Sequence, residues 1–396
     1  MKRLRLLTAG ESHGPGLIGV LEGLPAGLAV STSQVDRDLR RRQHGYGSGR
    51  RMRIERDEVH WVAGLRFGKT LGSPLGWLVE NRDWPAWAER MSLESIAADR
   101  RPAPVTRTRP GHADLAGAIK YNTGDVRDVL ERASARSTAT RTVAGAVCRQ
   151  LLGHAGVRIW SFVDQLGPVR AFAGVEDPMT AIPDDWWRLD LAHPSPLRCP
   201  DAEAETRMLA EIDKVRQAGD SIGGSFVVVA EGLPIGIGST SEWDTRLDGA
   251  IAGATMAIPG VKGVEIGLGF GVVGRRGSAV HDVVDPAAAG WERLTNRAGG
   301  LEGGMTNGEP IVVRAAVKPV STMRRPLPSV DLQGMPSPGH IERSDISILP
   351  RAAIVGEVML ALVLADELLV TFGGDVMGDL LAAVRRRRRR SSRPAP

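Results

Sequence analysis

The sequence predicts a single compact α+β domain in which a strand-loop-helix unit occurs twice. The 396 residues are 42% hydrophobic and 24% charged, which is ordinary for a globular protein and excludes wholesale disorder and fibrous classes. Although 48 glycines and 25 prolines interrupt the chain, no long linker rich in serine, proline and glycine divides it. We therefore expect one domain over residues 1–383, followed by a tail at residues 384–396.

The regular elements are predicted from the spacing of apolar residues. Runs rich in β-branched and aliphatic residues that end at glycine or proline predict strands at residues 4–7, 17–22, 225–230 and 311–317. Longer stretches with helical spacing predict helices at residues 126–153, 202–217 and 353–369. The last helix is apolar enough to be buried, but Glu357, Asp366 and Glu367 interrupt it, so it is not expected to span a membrane.

The repeated unit follows two of the predicted strands. Residues 22–27 read Glu-Gly-Leu-Pro-Ala-Gly and precede Ser-Thr-Ser at residues 31–33. Residues 231–236 read Glu-Gly-Leu-Pro-Ile-Gly and precede a second Ser-Thr-Ser at residues 239–241. Because hydroxyl side chains accept hydrogen bonds from the free N–H groups of a helix start, we expect a strand, a tight turn and a capped helix in both places.

The amino terminus and the cysteines point to a reducing compartment. Lys2, Arg3 and Arg5 are not followed by the apolar stretch that secretion signals contain. Cys148 and Cys199 lie far apart and have neither a disulfide framework nor metal-ligand spacing, so no metal is expected. The cytoplasm is the simplest location.

The positive charge of the chain belongs to its carboxyl terminus. The formal net charge is +5, but residues 385–390 and Arg393 contribute seven arginines, so the rest of the chain is slightly acidic. We expect this tail to be disordered and to bind nucleic acid or acidic surfaces at most non-specifically. A nucleic-acid-binding protein is the first alternative class, yet the body lacks aromatic residues interleaved with basic ones.

Two histidines beside glycines are candidate acid–base groups. His13 lies in a glycine-rich loop after the first predicted strand, and His112 follows Gly111 between Arg109 and Asp114. Histidine exchanges protons near neutral pH, and glycine lets the backbone approach a ligand closely. Either loop alone is more often a solvated turn, so the interpretation depends on other anion-binding segments.

Several further segments concentrate anion-binding groups. Arginines surround a glycine turn at residues 40–52, and Ser134 and Arg136 fall near a helix start, where free N–H groups favour phosphate. A glycine loop at residues 299–308 suits a flat ligand, and residues 318–322 end a strand with a cation and two hydroxyls. Any one arginine is more often solvent-facing, but together these segments predict an enzyme for a small polyanion, with a planar cofactor.

Taken together, these segments resemble the chorismate synthase family. The matching motifs occur in the family's order over nearly the whole chain, at residues 10–14, 109–114, 131–136, 299–308, 318–322 and 343–345. The resemblance implies a lyase that eliminates phosphate from 5-enolpyruvylshikimate 3-phosphate in a 1,4-anti sense, giving chorismate in the shikimate pathway of aromatic amino acid biosynthesis. It also implies a need for reduced FMN, a helical layer sandwiched between antiparallel β-sheets, and a homotetramer.

The resemblance also implies roles for individual residues. His13 is expected to protonate the departing phosphate, His112 to interact with the reduced flavin, and Asp345 to relay the proton that leaves the substrate. The residues expected to bind the substrate are Arg42, Ser48, Arg51, Arg109, Ser134, Arg136 and Arg343. The residues expected to hold the flavin are Arg132, Ala133, Ser134, Pro259, Gly260, Gly303, Lys318, Pro319, Val320, Ser321, Thr322 and Arg343.

The sequence departs from the family pattern at two of these places. Ser48 stands where the family usually has an arginine, and Pro259 and Gly260 stand where relatives often have Gln-Ala. A catalytically degenerate paralogue that binds flavin or substrate only is therefore the second alternative. No separate NADPH-binding glycine fingerprint is visible, which favours an external flavin reductase, with NADPH as the source of reducing equivalents.

Overall fold

Strands and helices alternate along the part of the chain that the structure, a computed structural model, describes: residues 1–47, 56–174, 195–286, 290–342 and 345–391. The strands are β1 (Arg5–Ala9), β2 (Gly16–Glu22), β3 (His60–Ala63), β4 (Leu65–Arg66), β5 (Lys69–Thr70), β6 (Leu75–Glu80), β7 (Arg158–Leu166), β8 (Val169–Arg170), β9 (Gly224–Glu231), β10 (Val261–Ile266), β11 (Leu301–Glu302), β12 (Met305–Thr306), β13 (Ile311–Val317), β14 (Pro328–Val330) and β15 (Pro336–Pro338). The helices are α1 (Thr32–Gln43), α2 (Asp114–Tyr121), α3 (Arg127–Ala133), α4 (Thr138–His154), α5 (Ala202–Ala218), α6 (Leu247–Met256), α7 (Leu349–Phe372) and α8 (Met377–Ser391).

Two antiparallel sheets enclose a layer of helices. The first sheet has the strand order β1-β2-β6-β3, and the second has the order β10-β13-β9-β7-β8. Helix α4 packs on β2 of the first sheet and on α1 and α7, and α7 packs in turn on β7 and β9 of the second sheet. The predicted α+β class and the helical layer between antiparallel sheets are confirmed.

The central helix α7 is buried along most of its length because it lies between α4 and the second sheet. Two glycines allow this close packing. A Cβ on Gly145 of α4 would lie 2.3 Å from the Cβ of Val358, and a Cβ on Gly356 would lie 2.6 Å from the ring of Phe226. Among the described residues, no helix combines the length and the apolar character needed to cross a membrane.

A buried carboxylate on α7 joins several elements. Glu357 is fully buried and accepts hydrogen bonds from Arg41 at 2.8 and 2.9 Å, from Arg149 at 2.8 Å, from Arg198 at 3.2 Å and from the hydroxyl of Ser161 at 2.7 Å. Burial alone would raise the pKa of Glu357, but the three guanidinium groups outweigh it and lower the pKa to about 2. The carboxylate therefore stays ionised and fixes α1, α4 and β7 against α7.

The predicted duplication is visible in two equivalent turns after β2 and β9. The hydroxyl of Thr70 donates to the carbonyl of Pro25 at 2.6 Å, and the hydroxyl of Thr306 donates to the carbonyl of Pro234 at 2.7 Å. Each hydroxyl also accepts, at 2.9 Å, from the backbone N–H three residues beyond that proline. The same side chain thus closes the same turn in both halves of the chain.

The helix starts of the two units differ, contrary to the sequence prediction. Ser31 caps α1 by accepting a hydrogen bond from the backbone of Gln34. In the second unit Glu242 and Thr245 form a capping box around a short 3-10 turn, and Arg246 is extended, so α6 begins only at Leu247. The local capping box competes with the serine cap and delays the helix.

The helix predicted over residues 126–153 is broken near Ser134. Ser134 is extended, with φ −63° and ψ 141°, and its hydroxyl accepts from the backbone N–H of Arg136. The chain therefore forms α3, a 3-10 turn at Ala135–Ser137, and α4. Serine side chains that bond to nearby backbone groups interrupt helices in this way.

The arginine-rich segment also differs from its prediction, because α8 continues as a helix through Ser391. Arg387 donates to the carbonyl of Gly236 at 3.1 Å, and Arg388 donates to the carbonyls of Ala155 and Gly232 at 2.7 and 2.6 Å. These arginines satisfy carbonyls in turns on the protein body, which anchors a segment whose composition alone predicts disorder.

The two turn threonines should contribute similarly to stability. Replacing Thr70 or Thr306 with valine keeps the shape but leaves a buried carbonyl and N–H without their partner, at a cost of about 1–3 kcal/mol in each variant. Urea unfolding measures this loss, with Thr206→Val on the exposed surface of α5 as the control. A loss in only one of the two variants would contradict the equivalence of the turns.

Candidate functional site

The loop between β1 and β2 carries His13 into a buried position. Gly10 has φ +105°, and a Cβ there would lie 2.3 Å from a backbone carbonyl, so the loop requires glycine. The Nδ1 of His13 lies 3.0 and 2.9 Å from the two carboxylate oxygens of Glu131, and its ring stacks on Trp87 at 3.8 Å. Because an ionised carboxylate only accepts hydrogen bonds, Nδ1 carries a proton, which leaves Nε2 as the ring nitrogen available for proton exchange.

Glu131 is held in turn by a chain of charged groups. Arg127 donates to Glu131 at 2.8 Å and to Glu342 at 3.0 Å, and the Nε2 of His340 lies 3.0 Å from the same oxygen of Glu342. Burial would raise the pKa of Glu131, but the hydrogen bonds from His13 and the charge of Arg127 hold it below its usual value. The partner of His13 is therefore a carboxylate anion at neutral pH.

Two predicted substrate-binding arginines meet on one buried carboxylate. Arg136 donates to both oxygens of Asp57 at 2.6 and 2.7 Å, and Arg42 donates to the same group. Asn81 accepts from Arg136 at 2.9 Å and donates to the carbonyl of Gly14 at 2.7 Å, which connects the pair to the His13 loop. Burial and the neighbouring Arg136 lower the pKa of Arg42, although Asp57 opposes them. The carboxylate of Asp57 therefore holds both guanidinium groups in place.

The second histidine has the same arrangement. The Nδ1 of His112 lies 2.5 Å from Asp114, and Arg109 donates to the two oxygens of Asp114 at 2.7 and 3.0 Å. Burial would raise the pKa of Asp114, but the hydrogen bonds from His112 and Arg109 hold it far below its usual range. Proton exchange at His112, which is partly exposed, therefore also takes place at Nε2.

The loop after β13 lies against the His112 loop. The ammonium group of Lys318 donates to the carbonyl of Gly111, and the hydroxyl of Ser321 donates to the same carbonyl at 2.9 Å. The backbone N–H of Lys318 donates to the carbonyl of Gly260 at 2.9 Å. Burial and the charge of Lys262 lower the pKa of Lys318. Predicted flavin residues from two separate segments are thus brought together.

Arg132 brings positive charge to the loop that carries His13. It donates to the carbonyls of Gly10 and Thr8 at 3.1 and 3.0 Å, so it lies on the His13 loop. Burial and the charge of Arg132 lower the pKa of Arg141, which donates to the carbonyl of Ala257 just before the Pro-Gly turn. Burial and a neighbouring cation thus disfavour the charged form of Arg141, and an anionic ligand would offset both.

One segment connects the two histidine loops. A Cβ on Gly339 would lie 3.3 Å from Pro110, in the His112 loop. Three residues later, Glu342 binds Arg127, the partner of Glu131. Residues 339–342 therefore link the His112 loop to the chain of charged groups that holds His13.

The remaining predicted residues differ in how closely the structure connects them to this site. Asp345 forms an ion pair with Arg351 at the start of α7, and the charge of Arg351, after burial and Arg136, also lowers the pKa of Arg42. Asp345 is thus near the arginine pair. Gly303 lies in the β11–β12 turn beside Thr240, and no hydrogen bond among the described residues joins it to the other predicted flavin residues.

The other predicted residues fall on elements already described. The hydroxyl of Ser134 donates to Ser12 at 3.2 Å, and Thr322 accepts from Arg109 at 3.2 Å. Ala133 ends α3, and Pro319 and Val320 follow Lys318 in its loop. Three predicted substrate-binding or flavin-binding residues lie outside the described residues: Ser48, Arg51 and Arg343.

Sequence reasoning missed the groups that hold the predicted ones. Asp57 and Asn81 position the arginines, and Glu131 and Trp87 position His13. The only sequence signal for Asp57 is its place among the acids that flank an arginine run, a pattern that equally fits a solvated surface. Nothing local distinguishes Trp87 from other tryptophans.

Comparisons with known proteins identify the family of this chain. The family model described as chorismate synthase matches residues 4–369. The chain is 52% identical over 385 residues to the chorismate synthase of Desulforudis audaxviator, covering 97% of each chain. It is 48% identical over 389 residues to that of Thermobifida fusca, covering 96% of this chain and 98% of the relative. A crystal structure of chorismate synthase superposes with a TM-score of 0.79 at 39% identity, covering 99% of both chains. The chain therefore belongs to the chorismate synthase family, a family of lyases in chorismate formation.

Proposed function

We propose that this enzyme eliminates phosphate from 5-enolpyruvylshikimate 3-phosphate in a 1,4-anti sense to give chorismate, with reduced FMN, in the cytoplasm. The observation that carries the proposal is the pairing of His13 and His112 with buried carboxylates, beside buried arginines that are themselves held by carboxylates. Such a site can bind a phosphate and two carboxylates and can move protons at two fixed nitrogens.

The donor set fits an anionic flavin. Lys318, Arg132 and Arg141 are cations near backbone carbonyls, and the pKa of Lys318 and of Arg141 is lowered by burial and by a neighbouring cation. When bound, reduced FMN would supply the electron density that eases departure of the phosphate. The described residues proposed to hold it are Arg132, Ala133, Ser134, Pro259, Gly260, Gly303, Lys318, Pro319, Val320, Ser321 and Thr322.

The residues around His13 are proposed to handle the leaving phosphate. Arg42 and Arg136 would bind the phosphate or a carboxylate of the substrate through guanidinium N–H groups not used by Asp57. The Nε2 of His13 would donate a proton to the phosphate as it departs. Stacking on Trp87 covers one face of the imidazole, which restricts water there and fixes the ring.

The residues around His112, together with Asp345, are proposed to bind the cofactor, to orient the substrate and to relay its proton. His112, held by Asp114, would bind the anionic edge of the cofactor through Nε2. Arg109, also held by Asp114, would orient a carboxylate of the substrate. Asp345, paired with Arg351, would relay the proton that leaves the ring.

We also propose that the enzyme is a homotetramer that uses the outer face of the first sheet as one subunit interface. Alternation along the strands places one set of apolar side chains in the core and another on this outer face. The exposed set comprises Leu7 (58% exposed), Ile18 (52%), Val20 (37%) and Val62 (75%). A continuous apolar sheet face of this kind fits a second copy of the same face.

The direct test of the reaction is an anaerobic assay with the proposed substrate and chemically reduced FMN, which bypasses any cellular flavin reductase or NADPH. We expect chorismate and free phosphate to appear in equal amounts and only with reduced flavin. Because each histidine contributes a proton or a charge, His13→Ala and His112→Ala should lower kcat by about 10²-fold or more.

The same assay distinguishes the alternative of a degenerate paralogue. If the folded protein binds reduced FMN but neither product forms, the proposed reaction is wrong and a binding-only role replaces it. Arg40→Gln, which replaces an exposed arginine on α1, is the control for a general loss of positive charge and should keep the activity of the wild type.

Replacing Glu131 should change the pH dependence of the reaction. The pKa of Glu131 is lowered, so this carboxylate is ionised at neutral pH and orients the Nδ1–H of His13 until acid protonates it. Glutamine does not titrate, so in Glu131→Gln kcat should fall about tenfold, equal to about 1.4 kcal/mol, and the loss of activity that protonation of Glu131 causes in acidic solution should disappear. Glu342→Gln is the matched control, because Glu342 contacts Arg127 but not His13. An unchanged profile in Glu131→Gln would contradict the positioning role.

Disrupting the outer sheet face should lower the number of subunits in the oligomer. Ile18→Lys places a charge in the proposed interface, so light scattering after gel filtration should show a smaller species than the tetramer. Ile119→Lys, which is 72% exposed on α2, is the control and should leave the mass unchanged. A tetramer that persists in Ile18→Lys would exclude this face as an interface.

A further inference from the structure

Asn81 lies immediately after β6 and is only 3% exposed. The first sheet sets its position. Glu80, the last residue of β6, pairs with Gly16 of β2. The backbone N–H of Asn81 then donates to the carbonyl of Pro15 at 3.1 Å, one residue beyond the paired strands. The strand pairing therefore brings Asn81 against the loop between β1 and β2, which carries His13.

The amide group of Asn81 binds this loop on both sides of the histidine. Its Nδ2 donates to the carbonyl of Gly14 at 2.7 Å and to the carbonyl of Glu11 at 3.2 Å. Glu131 accepts from the backbone N–H of His13 at 2.8 Å. The loop is therefore held through its carbonyls by Asn81 and through an N–H group by Glu131, so two residues from separate elements fix the backbone around the imidazole.

The other polar atoms of Asn81 bind two further parts of the site. The Oδ1 atom accepts from the Nε of Arg136 at 2.9 Å. The backbone carbonyl accepts from the N–H of Trp84 at 3.0 Å, and this bond begins the turn that carries Trp87, whose ring stacks on His13. Because both Nδ2 protons and the Oδ1 atom are used, only an amide of this length can make the whole set of hydrogen bonds.

We propose that Asn81 is a positioning residue for proton transfer by His13, which it holds at a fixed distance from the guanidinium group of Arg136. This inference rests on the proposed function, in which Arg136 binds an anionic group of the substrate and His13 protonates the leaving phosphate. Displacing a catalytic group by about 1 Å can slow a reaction by about 10²-fold. Asn81 acts through its neighbours, so its loss should lower kcat more than it raises KM.

Steady-state kinetics of the full-length protein in the anaerobic assay test this role. Asn81→Ala removes the bonds to the loop, whereas Asp57 still binds Arg136 at 2.6 and 2.7 Å. We expect kcat to fall about tenfold or more and KM to change less than about threefold. Gln150→Ala is the matched control and should keep the wild-type kcat. The amide of Gln150 also binds an N–H and a carbonyl, those of Ser31, but near the carboxyl end of α4.

A double-variant cycle separates positioning from a general structural role. If Asn81 acts through His13, adding Asn81→Ala to His13→Ala should change the remaining kcat less than about twofold. Equal losses in the two backgrounds, an unchanged kcat in Asn81→Ala, or a larger effect on KM than on kcat would overturn the proposal. Asn81→Asp fills the same space, keeps an acceptor for Arg136 and loses the donors when ionised, so it should show the same loss and replaces Asn81→Ala if that variant does not fold.

Chemical labelling measures the position of the histidine without turnover. Diethyl pyrocarbonate acylates imidazole nitrogens, and mass spectrometry of the digested protein gives a rate for each histidine. In flavin-free Asn81→Ala, labelling of His13, which is 8% exposed in the wild type, should be about threefold faster or more, with His112 unchanged as the internal reference. An unchanged rate at His13, or equal acceleration of both histidines in Asn81→Ala and Asn81→Asp, would contradict the positioning role. Failure of the proposed function is recognised separately, as a wild type that forms no chorismate, and does not affect this labelling.

Discussion

The ionised carboxylate of Glu357, buried in the central helix, is the interaction on which most of the architecture depends. An unpaired charge in this position would be strongly destabilising, by about 3–5 kcal/mol for loss of one partner of a buried pair. The three arginines that neutralise it come from α1, α4 and the segment before α5, so these elements must converge on α7. Once Arg41 is fixed on Glu357, its neighbour Arg42 points about 100° away around the axis of α1, where it meets Asp57. The structural core and the candidate site are thus set by consecutive residues.

The candidate site uses the same principle on a smaller scale. Glu131, Asp57 and Asp114 are buried carboxylates whose pKa values are lowered by the histidines and arginines that they bind. Each holds a proton-transfer group or a guanidinium group in one orientation before any ligand arrives. Such preorganisation avoids the cost of reorienting polar groups during the reaction. The arginines and histidines held in this way are the groups proposed above to bind a substrate with several negative charges.

The internal duplication explains how two unlike sides of one site arise. Both units close their first turn with a threonine hydroxyl, but the chain that follows differs. In the first unit α1 carries Arg41 to the core and Arg42 to the proposed substrate site. In the second unit α6 begins later and ends just before the Pro-Gly turn beside the Lys318 loop. A shared scaffold therefore supports the half proposed to bind the substrate and the half proposed to bind the cofactor.

The sequence by itself determined the local structure and the chemical groups of the site. Spacing of apolar residues predicted the strands β1, β2, β9 and β13 and the helices α5 and α7 to within a few residues of their ends, although it missed β6, β7 and β10. Motifs in a fixed order indicated the family, because such signals arise from neighbours along the chain. Only the tertiary structure decided which charges pair, since Asp57 is 79 residues from Arg136 and Glu131 is 118 residues from His13. It also decided that the arginine-rich segment is a helix, because the carbonyls that Arg387 and Arg388 bind belong to distant turns. Long-range pairing of buried charges leaves no periodic trace in a sequence, and this is why the residues that position His13 and the arginines escaped prediction.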